Sequence, residues 1–431
     1  MLTRSDSRPL ILSLLTLANQ LLFYGVNLVL ARSLAPREFD SYCVVISTVL
    51  LLSTVATLGL EKYALRCLPM YRERGDLARV RGFRRFAFRA VITASFLCIA
   101  AYGAGAAMAV WVVEDPAFAL LYLILFLPAI ALALLYVELA TADGAILAAV
   151  AAYRVLLPVF FLVSILVVAR IGPPLSLRPV LIAYGASWTV VLVLLWILAR
   201  RRWRADDDVA PPVVEGLAWI RSAVPFLLGS LLMTALAQSG VIVLGLVATS
   251  DAVVGAYAVS AQIGTLIVLL ATSTNRLYLP VISTLMERGA REELLRIRRT
   301  RARLIGSIAA AYALVIVLFG RSILRMFGPG FEDSYAALLW ITGGAITSTL
   351  FAVGPSFLLY AGRGAVVLRW SAVALIVNIA LCATLGARLG PLGAAIAYAT
   401  SMGGLFVVLR FAALARLELV FERDKLKKEH E

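Results

Sequence analysis

Long apolar runs, each close to 20 residues, alternate along the whole chain with short connections rich in charged and turn-forming residues. A helix rises 1.5 Å per residue, so about 20 apolar residues cross the hydrocarbon core of a bilayer. The pattern therefore predicts twelve transmembrane helices near 10–31, 40–60, 90–113, 117–138, 145–169, 180–199, 222–247, 253–274, 304–325, 334–360, 365–386 and 391–414. The connections around Pro116 and Gly362 are very short. The first run is too long for the core of a signal peptide and has no A-x-A-like site, so it reads as a span. The expected fold class is an all-α polytopic membrane protein. About twelve transmembrane helices form two parallel six-helix bundles with a central cleft. The bundles cover 1–200 and 222–415, joined by a cytoplasmic linker at 201–221 and followed by a basic tail at 416–431.

Composition agrees with the pattern. Of 431 residues, 62% are hydrophobic and 15% charged, against roughly half and a quarter in soluble domains. A soluble protein this apolar would expose aggregating surface, which excludes a cytosolic globular enzyme, a disordered chain and a disulfide scaffold. Cys43, Cys67, Cys98 and Cys382 include no C-x-x-C pair and read as small buried hydrophobes. The single histidine, His430, is the penultimate residue. No histidine cluster, catalytic dyad, metal site or cofactor motif is therefore expected in the body of the chain.

Charge sets the orientation. With the N-terminus inside, 30 of the 40 Lys and Arg fall in cytoplasmic segments, 7 in outer loops, and Arg154, Arg369 and Arg410 within spans. Basic residues are retained on the cytoplasmic side, so both termini are read as cytoplasmic. The net charge of +15 is thus a topology signal, and no soluble module offers a nucleic-acid-binding face. Residues 291–304 read as an amphipathic helix lying on anionic lipid, or else as a solvated loop.

The chain also looks doubled. Tyr42 and Tyr63 recur as Tyr257 and Tyr278 at an offset of 215, and E-R-G at 73–75 recurs at 287–289. ALLY (119–122) matches ALLW (337–340), and Gly144 matches Gly362, at 218. Six spans per half give both halves the same orientation, which is a parallel repeat.

Outer loops are short and carry few acids, so there is little equipment for lipid-linked glycosyl transfer. The chain is read as no enzyme, with no catalytic residue. Charges inside spans are costly unless they face protein or water. Arg154 lies near the middle of the fifth expected span, either facing a cavity as an anion contact or pairing with another helix through Glu138. Arg369, about one turn inside its span, and Arg410, near a cytoplasmic end, can instead snorkel. Glu138 is the candidate coupling or pairing carboxylate. Asn19, Gln20, Tyr24 and Asn27 lie near one face of the first helix, and Arg32 stands at its outer end. These polar residues either line a hydrophilic path or hydrogen-bond neighbouring helices, as do Gln238, Ser239 and Gln262.

Several stretches resemble one family. LARSLAPREFDSY (30–42) looks like a motif that follows the first span of the Wzx-type flippases. These form the polysaccharide-transporter branch of the multidrug/oligosaccharidyl-lipid/polysaccharide (MOP) exporters. GLEKYALRCLPMYRERGD (59–76), LPVISTLMERG (279–289), FGPGFEDSYAALLWI (327–341) and VNIALCATLGARLGPLGAAIAYATS (377–401) are similar to further family stretches. Ala35 and Asp40 replace usual glycines, and Ser239–Gly240 stands where many relatives have an acid in the seventh span. The resemblance implies a bacterial inner-membrane flippase that moves undecaprenyl-diphosphate-linked oligosaccharide to the periplasmic leaflet by alternating access. It implies a cationic cavity for the diphosphate, with Arg154, Arg369, Arg32, Asn19, Gln20 and Asn27 as candidate contacts. Membrane lipids and glycan polymerase or ligase machinery are the implied partners. A cation-coupled multidrug antiporter of the same superfamily is the alternative, and it would want acidic rather than basic cavity residues. A non-transporting scaffold for glycan assembly is a third reading.

Overall fold

The structure is a computed structural model that describes residues 8–109, 116–171, 175–203, 211–248, 250, 252–269, 291–360 and 362–430. The described residues are helical throughout and include no strand. In the first part of the chain the helices are α1 (Arg8–Ser33), α2 (Pro36–Ala56), α3 (Leu60–Glu73), α4 (Leu77–Ala109), α5 (Pro116–Ile124), α6 (Leu127–Ala142) and α7 (Ile146–Ala151). A π-turn (Ala152–Leu156) runs on into α8 (Leu157–Ile171), followed by α9 (Leu177–Trp203) and α10 (Gly216–Val247). The second part holds α11 (Val253–Gly264), α12 (Arg291–Arg325), α13 (Tyr335–Leu350), α14 (Val353–Tyr360), α15 (Gly364–Leu389) and α16 (Pro391–His430).

Nine of these helices are individually long and apolar enough to cross a membrane. The bent pair 331–350 and 353–359 is together as apolar and as long, either a broken span or a re-entrant loop, and α6 and α11 are shorter apolar helices. Each of the twelve expected spans thus has a helical counterpart among the described residues, although 110–113 of the third and 270–274 of the eighth lie outside them. The chain is a multi-pass membrane protein.

Prolines explain the interruptions. A proline has no N–H to give the carbonyl four residues back, and its ring clashes there. Pro128 lies four residues after Ile124, where α5 ends, and Pro355 lies four after Phe351, where α13 gives way to α14 at a 44° bend. Pro158 stands four residues after Arg154, inside the π-turn, where the Leu157 N–H reaches back to the Ala152 carbonyl. The described basic segments are helical. Residues 60–73 form α3, and α4 begins thirteen residues before the expected span at 90. The expected surface helix at 291–304 is corrected: with no proline between Arg291 and Arg325, it forms the first turns of α12 and runs straight into the span. Residues 275–290 of that basic loop lie outside the described residues.

The chain divides into two compact units, Met1–Gln238 and Ser239–Glu431, with the boundary inside α10. Unit 1 is built around α6, which buries ten of its sixteen residues and packs against α2, α3, α4, α7 and α9. A helix apolar on every side belongs in the middle of a bundle. Unit 2 is built around α16, which packs against α11, α13, α14 and α15. The halves share further sequence: IAYGAS (182–187) on α9 recurs as IAYATS (396–401) on α16, at an offset of 214. Tyr184 and Tyr398 are both buried, as are Tyr42 and Tyr257. Tyr278 and the second E-R-G lie outside the described residues.

Candidate functional site

Arg154 projects from the π-turn, eight residues beyond the start of α7 and so about 12 Å along the helix. Widened helical turns of this kind often occur at functional sites, because they re-aim a side chain and free backbone carbonyls. An aromatic column holds the turn against α9. Tyr153 packs on Trp188 (centroids 5.7 Å apart), and Tyr184 meets Phe161 edge-on at 5.0 Å. The Arg154 guanidinium lies 5.8 Å from the Tyr153 ring centroid, is half-buried, and has no carboxylate partner among the described residues. The π-turn also packs against α1, so Arg154 and the polar face of the first helix belong to adjoining elements.

On α1, Asn27 accepts a hydrogen bond from the Tyr42 hydroxyl (3.4 Å). Asn19 and Gln20 are half-buried, with no side-chain hydrogen bond to another described residue. Unit 1 thus assembles one cation and two uncommitted amides on neighbouring elements, an arrangement suited to an anionic, hydroxyl-rich group. Arg32 is exposed at the end of α1, away from the middle of the span. Arg369 is exposed on α15 of unit 2, with no ion pair among the described residues. Ser239 on α10 accepts a 2.7 Å hydrogen bond from Asn378 of α15.

The alternative reading of Arg154, a pair with Glu138, is not formed. Glu138, near the end of α6, pairs instead with Lys62 of α3. Periodicity places both Arg154 and Glu138 at helix positions but does not say which neighbour each helix turns them toward. Two acids missed as site residues lie nearby. Asp143 binds Arg72 (2.8 Å) and Arg84 (3.0 Å), and accepts a 2.6 Å hydrogen bond from the Trp203 indole. It joins α3, α4 and α9 at the end of α6, and the Arg84 guanidinium lies 4.5 Å from the Trp203 ring. Glu61, in the first turn of α3, is 6% exposed with an Oε2 that has no hydrogen-bond partner. Burial raises its pKa above the usual carboxylate range, and the nearby Glu138 adds to this; a Thr57 hydrogen bond and Lys62 oppose it. The only advance signal was the charged residues flanking the second and fourth spans. Among the described residues, no group of three or more His, Cys, Asp or Glu gathers as metal ligands.

A family model described as "Polysaccharide biosynthesis protein" matches residues 9–286. No curated protein matches the chain. Among solved structures, an inward-facing multidrug resistance MATE family transporter of the MOP superfamily aligns with TM-score 0.68 and 15% identity, covering 95% of this chain and 96% of that one. The lipid II flippase MurJ in its inward closed conformation aligns with TM-score 0.67 and 13% identity, over 96% and 93% of the two chains. An outward-facing MATE transporter gives 0.62 at 15% identity, over 96% of each. At these identities the likeness is one of fold.

Proposed function

The chain belongs to the polysaccharide biosynthesis protein family, and from that premise we propose that it is a flippase for a lipid-linked oligosaccharide. In this reading it is of the Wzx type and sits in the bacterial inner membrane with both termini cytoplasmic. Its substrate is an undecaprenyl-diphosphate-linked glycan, and its two six-span bundles, 1–200 and 222–415, alternate access to the two leaflets. A diphosphate-sugar head cannot cross hydrocarbon without polar partners.

The observation that carries the reading is Arg154, a cation within an apolar helix without a carboxylate partner among the described residues, on a turn that packs against the helix carrying Asn19 and Gln20. A guanidinium stays charged and offers a planar fork to phosphate oxygens. One to three such contacts give binding weak enough for release. Asn19, Gln20 and Asn27 serve the sugar hydroxyls, and Arg369 and Arg32 are further contacts along the path. Delivered glycan passes to polymerase or ligase machinery.

The reading is tested by comparing lipid-linked glycan held in the inner leaflet with glycan at the surface, in cells depleted of the chain. Inner-leaflet accumulation with loss of surface glycan is expected. Unchanged surface glycan with altered drug efflux would favour a multidrug antiporter instead.

A further inference from the structure

Among the described residues, five arginines lie over an aromatic ring, and Arg154 differs from the other four. Arg178, Arg200 and Arg321 are exposed near the ends of their helices. Arg84 is buried, and Asp143 pairs with it at 3.0 Å. Arg154 is half-buried within an apolar helix and has the Tyr153 ring in place of a carboxylate.

The contact is built into the fold. Consecutive residues of a regular helix do not face one another. Yet the Arg154 guanidinium lies alongside the ring of the residue just before it, on the widened turn. On its other contact the Tyr153 ring packs against Trp188, which is 1% exposed. Trp188 meets Tyr184 edge-on at 6.3 Å, and Tyr184 meets Phe161 in the same way. All three are buried in unit 1, and a close-packed interior keeps such side chains in fixed places. The core of the unit thereby fixes Tyr153, and Tyr153 holds the cation.

A ring and a carboxylate hold a guanidinium differently. A carboxylate fills its planar fork with two parallel hydrogen bonds and cancels its charge. A ring attracts it through the quadrupole, without cancelling the charge or occupying the fork. At 5.8 Å the Arg154 contact is also the longest of the five, a hold that can yield when an anion arrives.

We propose that Tyr153 is a positioning residue that stands where a counter-ion would, so that the diphosphate of the lipid-linked substrate is the first anion to pair with Arg154. The role rests on the flippase reading above.

The test measures binding of undecaprenyl diphosphate to the purified full chain in nanodiscs. Tyr153→Phe keeps the ring and should bind as the wild type does. Tyr153→Leu should bind roughly fivefold more weakly. Tyr153→Glu, which installs a permanent counter-ion, should bind more weakly still. The decisive comparison places Tyr153→Leu in an Arg154→Gln chain, where the ring has no cation to hold and its loss should cost nothing further. Tyr153→Met, whose flexible side chain fills the same space, gives the same comparison if the leucine chain does not fold. An equal loss with and without the Arg154 charge would overturn the proposal, by making Tyr153 a packing residue only. A loss in Tyr153→Phe would overturn it too, by making the hydroxyl the contact. Wild-type affinity in the ring-free variants, with Arg154→Gln still weakened, would overturn it and leave the flippase reading standing. Failure of undecaprenyl diphosphate to bind the wild type would overturn both.

Discussion

Arg154 is aimed by a proline. Pro158 cannot continue the hydrogen-bond ladder to residue 154, so the helix widens there, in a turn that packs against α1. If that charge meets a diphosphate, charge matters more than length. Arg154→Lys should retain part of the transport, Arg154→Gln should lose far more, and Arg154→Glu should abolish it. Surface glycan normalised to folded protein measures this, and equal activity of the Lys and Gln variants would remove Arg154 from the path. Glu61 poses a different case. Its folded pKa is raised, so its contribution to stability is present below the unfolded pKa and lost as pH rises through the folded value. Glu61→Gln should therefore unfold at a higher temperature than the wild type near pH 8. The gain should shrink as the pH falls and vanish near pH 4, where the wild-type carboxyl is already protonated in the fold. Thermal unfolding of the detergent-purified chain across that range reads it.

The helices were largely legible in the sequence, whereas their breaks within 117–138, 145–169 and 334–360 were not read. The apolar runs marked the candidate spans among the described residues, and Pro128, Pro158 and Pro355 stand four residues after the carbonyls they release. Partners across helices were not legible. Glu138 meets Lys62, and Asp143 meets Arg72 and Arg84, over long separations in the chain that depend on how α3, α4 and α6 rotate against one another. The helicity of 291–304 was legible, but its continuation into the span was not, because the apolar window begins only where the charges thin out. Asp143→Ala should take the carboxylate from the buried Arg84 and cost roughly 3–5 kcal/mol, measured by denaturant unfolding. Gly82 faces a tighter constraint, since a Cβ there would lie 1.7 Å from the Val213 carbonyl oxygen. The Val213 N–H donates to Ala78 (3.1 Å), and Arg79 bridges Asp76 and Glu215, strapping residues 213–215 to the first turns of α4. Gly82→Leu should release this strap and make 211–215 newly sensitive to protease.

At the scale of the whole chain, the repeat and the charge bias make one prediction about topology. Residues 61–89 and 275–303 carry nine and eight basic residues and should be cytoplasmic. Cysteines engineered into either segment should resist impermeant thiol reagents in intact cells and react once the membrane is opened. The two units share sequence but differ in packing: the Phe126 ring lies against Gly185 in unit 1, whereas Gly344 meets the Ala399 backbone in unit 2. The central claim is movement of a lipid-linked glycan between leaflets, and it is tested most directly in liposomes. With a fluorescent undecaprenyl-diphosphate oligosaccharide in both leaflets, protein-free liposomes should protect the inner population from an impermeant glycosidase. The reconstituted chain should expose that population to cleavage, and the Arg154→Glu chain should not. Continued protection in the presence of well-folded wild-type chain would contradict the claim.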